Sequence, residues 1–124
     1  MTAFNLETDA RRSLIAVTLS GYWDMATFNA YADAIRIELR RMKTRGGCRH
    51  CLVDATEFAV QSAEITRALQ TLTDSFAPDC PERIAGISGS KLGELQARHA
   101  GGSDTRRVFA TREAAEGWLF GGTA

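Results

Sequence analysis

Cys48-Arg49-His50-Cys51 is the first stretch of this sequence whose residue types and spacing could do chemistry, because Cys-x-x-Cys is half a zinc site or a redox dithiol. A structural zinc needs four ligands, and the remaining candidates, Cys80 and His99, form no second pair. A redox dithiol wants its cysteines at a helix N-terminus, where the dipole lowers the thiol pKa. This pair leads instead into the apolar run Cys51-Leu52-Val53. The expectation is a small buried apolar cysteine, with no metal and no cofactor.

Gly86-Ile87-Ser88-Gly89-Ser90-Lys91-Leu92-Gly93 is glycine-rich at a strand-to-helix turn, where phosphate loops sit. It lacks the Gly-Lys-Ser/Thr ending of a P-loop and the spacing of a dinucleotide fingerprint, so Gly89 is read as the turn and Ser90 as a helix cap. His50 and His99 have no nucleophile elbow to serve. Asp54 ends a core strand with no second carboxylate placed to make an acid–base pair, and is expected to accept from backbone N–H groups of the turn that follows. No catalytic residue is assigned, and the chain is expected not to be an enzyme. Ser62 opens a helix, where its hydroxyl accepts from orphan N–H groups. A phosphate there would add about −1.5 to −2 charges at the positive end of the helix dipole, altering the surface a partner meets with little change of structure.

The elements that must position these groups follow from hydrophobic periodicity. Leu14 to Ser20 is β-branched and apolar and ends at Gly21, which reads as a strand. Phe4-Asn5-Leu6 pairs with it through a turn over Thr8 to Arg12. From Asp24, the expected cap, Met25, Phe28, Tyr31, Ala32, Ile35, Leu39 and Met42 form one helical stripe. Arg40, Arg41 and Lys43 complement the dipole at its end, and Gly46-Gly47 stops it. Cys51 to Asp54 is a short strand, followed by a loop to Gln61. The next helix buries Ile65, Ala68, Leu69, Leu72 and Phe76 and closes at Pro78. Arg83 to Ser88 is a third core strand, Ser90 to about Ala100 a weaker helix, and Gly101 to Asp104 a loop. Arg107-Val108-Phe109 is the last strand, and Thr111 caps a final helix with Ala114, Ala115, Trp118 and Leu119 facing inward.

The order β-β-α-β-α-β-α-β-α predicts a single α/β domain over residues 1–124, a mixed but mostly parallel five-stranded sheet covered by about four helices. Fifteen Lys and Arg balance fifteen Asp and Glu, so no basic excess points to nucleic acid. No run is long enough to span a bilayer, and membrane is not expected as a partner. Met1 to Glu7 has no basic-then-apolar leader, and three cysteines are an odd number, so a reducing cytoplasm is expected.

In this order the chain resembles the STAS family, the domain shared by sulphate transporters and bacterial anti-sigma-factor antagonists. Leu52 to Ala63 is similar to the family's strand, loop and helix start, and Arg107 to Leu119 to its last strand and helix. The resemblance places Ser62 on the antagonists' phosphoacceptor serine and Ala63 on the glycine that follows. Val60 and Gln61 stand before it, where the motif has aspartate and serine. It implies a non-enzymatic regulatory domain whose partner, an anti-sigma factor or kinase-like protein, docks around Asp54, Thr56, Glu57 and Ser62. A second reading is a nucleotide or metabolite held at the carboxyl edge of the sheet by Asp54, Ser88 and Ser90. A third is a homodimer joined through Tyr22, Trp23 or Phe120.

Overall fold

Strands and helices follow one another as the periodicity requires. The computed structural model describes residues 3–75, 83–88 and 106–121. Strands β1 (Phe4–Asp9) and β2 (Leu14–Gly21) form an antiparallel hairpin, with Phe4 opposite Leu19 and Asp9 opposite Leu14. Strands β3 (His50–Phe58), β4 (Arg83–Ser88) and β5 (Arg106–Phe109) add in parallel, giving one sheet in the order β1-β2-β3-β4-β5. Helices α1 (Met25–Lys43) and α2 (Ala63–Asp74) follow β2 and β3. Helix α3 (Arg112–Glu116) follows β5 and runs on as a π-helical turn over Gly117–Gly121. The helix expected over Ser90 to Ala100, the loop over 101–104, and Phe76 and Pro78 lie outside the described residues.

The hairpin turns two residues later than expected. Asp9 gathers the backbone N–H groups of Arg11 at 3.0 Å and Arg12 at 3.4 Å, and Ser13 takes the left-handed conformation that closes the turn (φ 48°). The Arg12 side chain bonds the same carboxylate at 3.0 Å and holds it below the usual aspartate range.

Helix α1 has the ends its sequence promises. Asp24 accepts from the Thr27 N–H at 2.8 Å. That bond favours the charged carboxylate and lowers the Asp24 pKa. The cap is therefore intact at neutral pH and is lost as pH falls through the lowered value. At the other end Gly46 and Gly47 adopt φ of +105° and +92°, and the Gly47 N–H reaches the Met42 carbonyl at 2.7 Å. Phe28, Tyr31, Ala32, Ile35 and Met42 are buried, and Leu39 packs against them half-buried. Met25 is a correction: at the flank of the stripe and in the first turn, it is exposed.

The core lies on both faces of the sheet. Ile15, Val17, Leu19 and Cys51 face α1 and α2, meeting Phe28, Tyr31, Ile35, Ile65 and Leu72. Their neighbours along the strands, Leu14, Leu52, Ala85 and Ile87, face Ala115 and Leu119. Burial on both faces is why β2 and β3 read as unbroken apolar runs. Ala114 is exposed rather than inward, because four-residue spacing lets Ala115 and Leu119 carry the packing while the residue before them rotates off that face. Trp118 packs half-buried on Phe109, ring centroids 5.7 Å apart.

Strand β3 is longer than expected, and most of the loop assigned to Asp54 through Gln61 is strand. Thr18 pairs with Asp54 but Ser20 pairs with Glu57, so Ala55 and Thr56 together oppose Leu19 in a β-bulge. The Asp54 carboxylate fills the bulge, accepting from the Thr56 N–H at 3.0 Å and its hydroxyl at 2.6 Å. Pairing then resumes to Phe58.

Candidate functional site at the carboxyl end of the sheet

Beyond the bulge the chain leaves β3 at Phe58 and reaches α2 through four residues, Ala59 to Ser62. The chain beside it leaves β2 at Gly21 and reaches α1 through Tyr22, Trp23 and Asp24. Gln61 ties these two loops together. Its side chain is 5% exposed and lies between them. The amide oxygen accepts from the Trp23 N–H at 2.8 Å, while the amide nitrogen donates to the carbonyls of Gly21 at 2.9 Å and Ala59 at 2.6 Å. A backbone bond from the Ala59 N–H to the Gly21 carbonyl, 3.1 Å, runs alongside. A carboxylate could accept from Trp23 but could not donate to the two carbonyls, so the amide is required. Nothing in the sequence marked Gln61 for this work; the only available signal was a long amide immediately before a helix cap.

Ser62 caps α2 as expected: its hydroxyl accepts from the Ile65 N–H at 3.2 Å, and its carbonyl takes the Thr66 N–H at 2.9 Å. Replacing Ser62 by alanine is expected to cost about 1 kcal/mol in urea unfolding, with Ser62→Asp within a few tenths of wild type because aspartate caps equally well. An alanine variant as stable as wild type would contradict the capping role.

Asp54, Thr56 and Glu57 sit on the last turns of β3, and Ser88 ends β4 opposite Ala55. Asp54 and Thr56 bond one another in the bulge, and among the described residues Ser62 makes no bond to Asp54, Thr56 or Glu57. The candidate surface therefore divides into a rigid bulge on one strand and a capped helix start beside it. Ser90 lies outside the described residues.

No family model matches the chain, and no curated protein matches it. Solved structures do. An anti-sigma factor antagonist from Mycobacterium paratuberculosis superposes with a TM-score of 0.68 over 95% of this chain and 95% of its own, at 13% identity. An uncharacterised protein of the DUF3478 family with a SpoIIAA-like fold, from Shewanella loihica PV-4, gives a TM-score of 0.68 over 94% of this chain and 92% of its own, at 19% identity. The fold is that of a STAS-like domain.

Within this STAS-like domain the platform made by the two tied loops is apolar on its outside and aromatic beneath. Tyr22, Met25 and Val60 are 66%, 37% and 39% exposed on it. Trp23, by contrast, is buried, which corrects its assignment to an interface. It points inward against Phe58 at 5.0 Å, Tyr31 at 5.2 Å and Phe4 at 6.1 Å between ring centroids, and its indole N–H donates to the Ser20 carbonyl at 3.0 Å.

The chemistry considered from the sequence is placed elsewhere. His50 begins β3, its Nδ1 at 2.9 Å from the Arg12 carbonyl and its ring edge-on to Phe120. Phe58 is eight strand steps further on, roughly 26 Å, so His50 cannot reach Ser62 as a general base. His99 and Cys80 lie outside the described residues. Cys48 and Cys51 are buried, and among the described residues no His, Cys, Asp and Glu cluster could hold a metal ion. Burial pushes the Cys51 thiol far above its ordinary pKa, the Cys48 sulfur nearby adding to the shift. Iodoacetamide at mildly alkaline pH is therefore expected to leave Cys51 unmodified in the native chain and to alkylate it in urea, read by peptide mass spectrometry. Rapid native labelling of Cys51 would contradict its burial. Gly86 lies inside β4 rather than in a phosphate-binding turn.

Proposed function

We propose that this STAS-like domain is a non-enzymatic regulatory module whose protein partner docks on the carboxyl end of the sheet, across Tyr22 to Met25 and Ala59 to Ser62. The observation that carries the reading is the Gln61 tie: two loops are held as one surface, with three exposed apolar side chains on it and the α2 cap at its edge. Exposed apolar groups on a fixed backbone suit protein recognition, because little ordering entropy remains to be lost on binding. The likeness to an anti-sigma factor antagonist supports a partner of the anti-sigma or kinase-like class. Ser62 is the position at which phosphorylation would act, adding charge at the start of α2 within this surface.

Capture from native lysate with tagged wild type and with Val60→Glu tests the assignment. Proteins retained by wild type and lost from an equally stable Val60→Glu support it. Identical captures by the two, or none by wild type, count against it. For the regulatory step, Ser62→Asp is expected to weaken capture where Ser62→Ala does not; equal capture by both removes Ser62 as a switch.

A further inference from the structure

We propose that the opposite, amino end of the sheet docks on an anionic phospholipid surface. Net charge is zero over the whole sequence, yet the fold sorts it. The β1–β2 turn brings Arg11 and Arg12 to this end, and α1 terminates there with Arg40, Arg41 and Lys43. Arg45 and Arg49 follow in the connection to β3.

These segments form one surface. The N–H groups of Arg49 and His50 both donate to the Ser13 carbonyl at 2.9 Å. A shallow depression lined by Thr8, Ala10, Met42, Arg45 and Gly47 joins the turn to the end of α1. Among the described carboxylates at this end, Asp9, Glu38 and Asp74 are already bonded, to Arg12 at 3.0 Å, Arg41 at 3.1 Å and Arg106 at 3.0 Å. Arg11, Arg40 and Arg45 are exposed, with no carboxylate partner among the described residues. Complementing the α1 dipole accounts for the cations on the helix, but not for Arg11 in a hairpin turn or Arg45 beyond the cap.

A bilayer fits better than a nucleic acid. The exposed aromatic at this end, Phe120, has the Arg12 guanidinium 4.8 Å from its ring centroid and the His50 ring packed edge-on, so the ring offers poor stacking to a base. A cluster of exposed arginines with no stacking platform matches the anionic headgroup layer of a leaflet, which attracts cations through charge alone. Helix α1 has 19 residues and spans roughly 28 Å from one end of the sheet to the other. A chain docked by its amino end thus leaves Tyr22, Val60 and Ser62 facing away from the bilayer, and this inference does not depend on what binds there.

The test is flotation with vesicles of phosphatidylcholine alone and with about 30% phosphatidylglycerol, at low and raised salt. Wild type is expected to float only with the anionic vesicles, and less at raised salt. Arg11→Gln/Arg40→Gln/Arg45→Gln should bind roughly a hundredfold more weakly with an unchanged melting curve, while lysine at the same three positions retains binding. Absence of wild-type flotation, or equal flotation of the glutamine variant, overturns the proposal. Binding to a DNA duplex without binding to vesicles overturns it in favour of nucleic acid.

Discussion

Trp23→Ala is expected to lower stability by about 3–5 kcal/mol, the range for deleting a buried aromatic from a packed core. At this chain length that corresponds to a fall in Tm of roughly 12–20 °C. The residue is 2% exposed and stands between β1, α1 and the end of β3, where the rings of Phe4, Tyr31 and Phe58 surround it. Removing it opens a cavity touching all three elements, which cannot close without moving the loop that carries it. Trp23→Phe keeps most of the contacts and loses the bond to the Ser20 carbonyl, so it should cost nearer 1 kcal/mol. Thermal unfolding followed by circular dichroism reads both. A loss below about 1 kcal/mol for Trp23→Ala would mean that the aromatic cluster does not hold the platform in place.

Gln61→Ala has the second largest expected effect, about 2–3 kcal/mol, for a different reason. The Trp23 N–H is left buried without its acceptor, whereas the Gly21 carbonyl keeps the bond from Ala59. The two loops then lose the side chain that joins them, and hydrogen exchange at Tyr22 to Asp24 should accelerate more than in the central strands. Gln61→Glu separates this account from a simple packing effect. A carboxylate there would face the Gly21 and Ala59 carbonyls, which favours its protonated form and raises its folded pKa. The folded state then binds the extra proton, so the penalty is small below the ordinary glutamate range and grows as pH rises through it. A pH-independent penalty would argue against the bonding seen at Gln61.

The fold was legible where residue type and period agreed. Leu14 to Gly21, the α1 stripe with its Asp24 cap and Gly46-Gly47 stop, and the Ser62 cap all combine a periodic run with end chemistry. Strand β3 was read too short because Asp54-Ala55-Thr56-Glu57 carries no apolar alternation. A bulge held by an Asp54–Thr56 bond has no period to detect. Trp23 reads as exposed because it lies in a loop beside Tyr22, and its ring is buried only by distant partners, Phe4 of β1, Tyr31 of α1 and Phe58 of β3. Gln61 was missed because its partners, Gly21 and Trp23, are about forty positions away and backbone groups leave no trace in side-chain spacing. The balanced total charge holds for the whole sequence, but it carries no information on where the hairpin and the end of α1 place their arginines.

The platform at the carboxyl end is the central claim, and hydrogen–deuterium exchange on the captured complex tests it most directly. Slowed exchange across Gly21 to Met25 and Phe58 to Ile65, with the amino-end segments Asp9 to Ser13 and Thr44 to His50 unchanged, is the predicted footprint. Protection confined to the amino end, or spread evenly over α3 and β5 with the two tied loops unaffected, would contradict it.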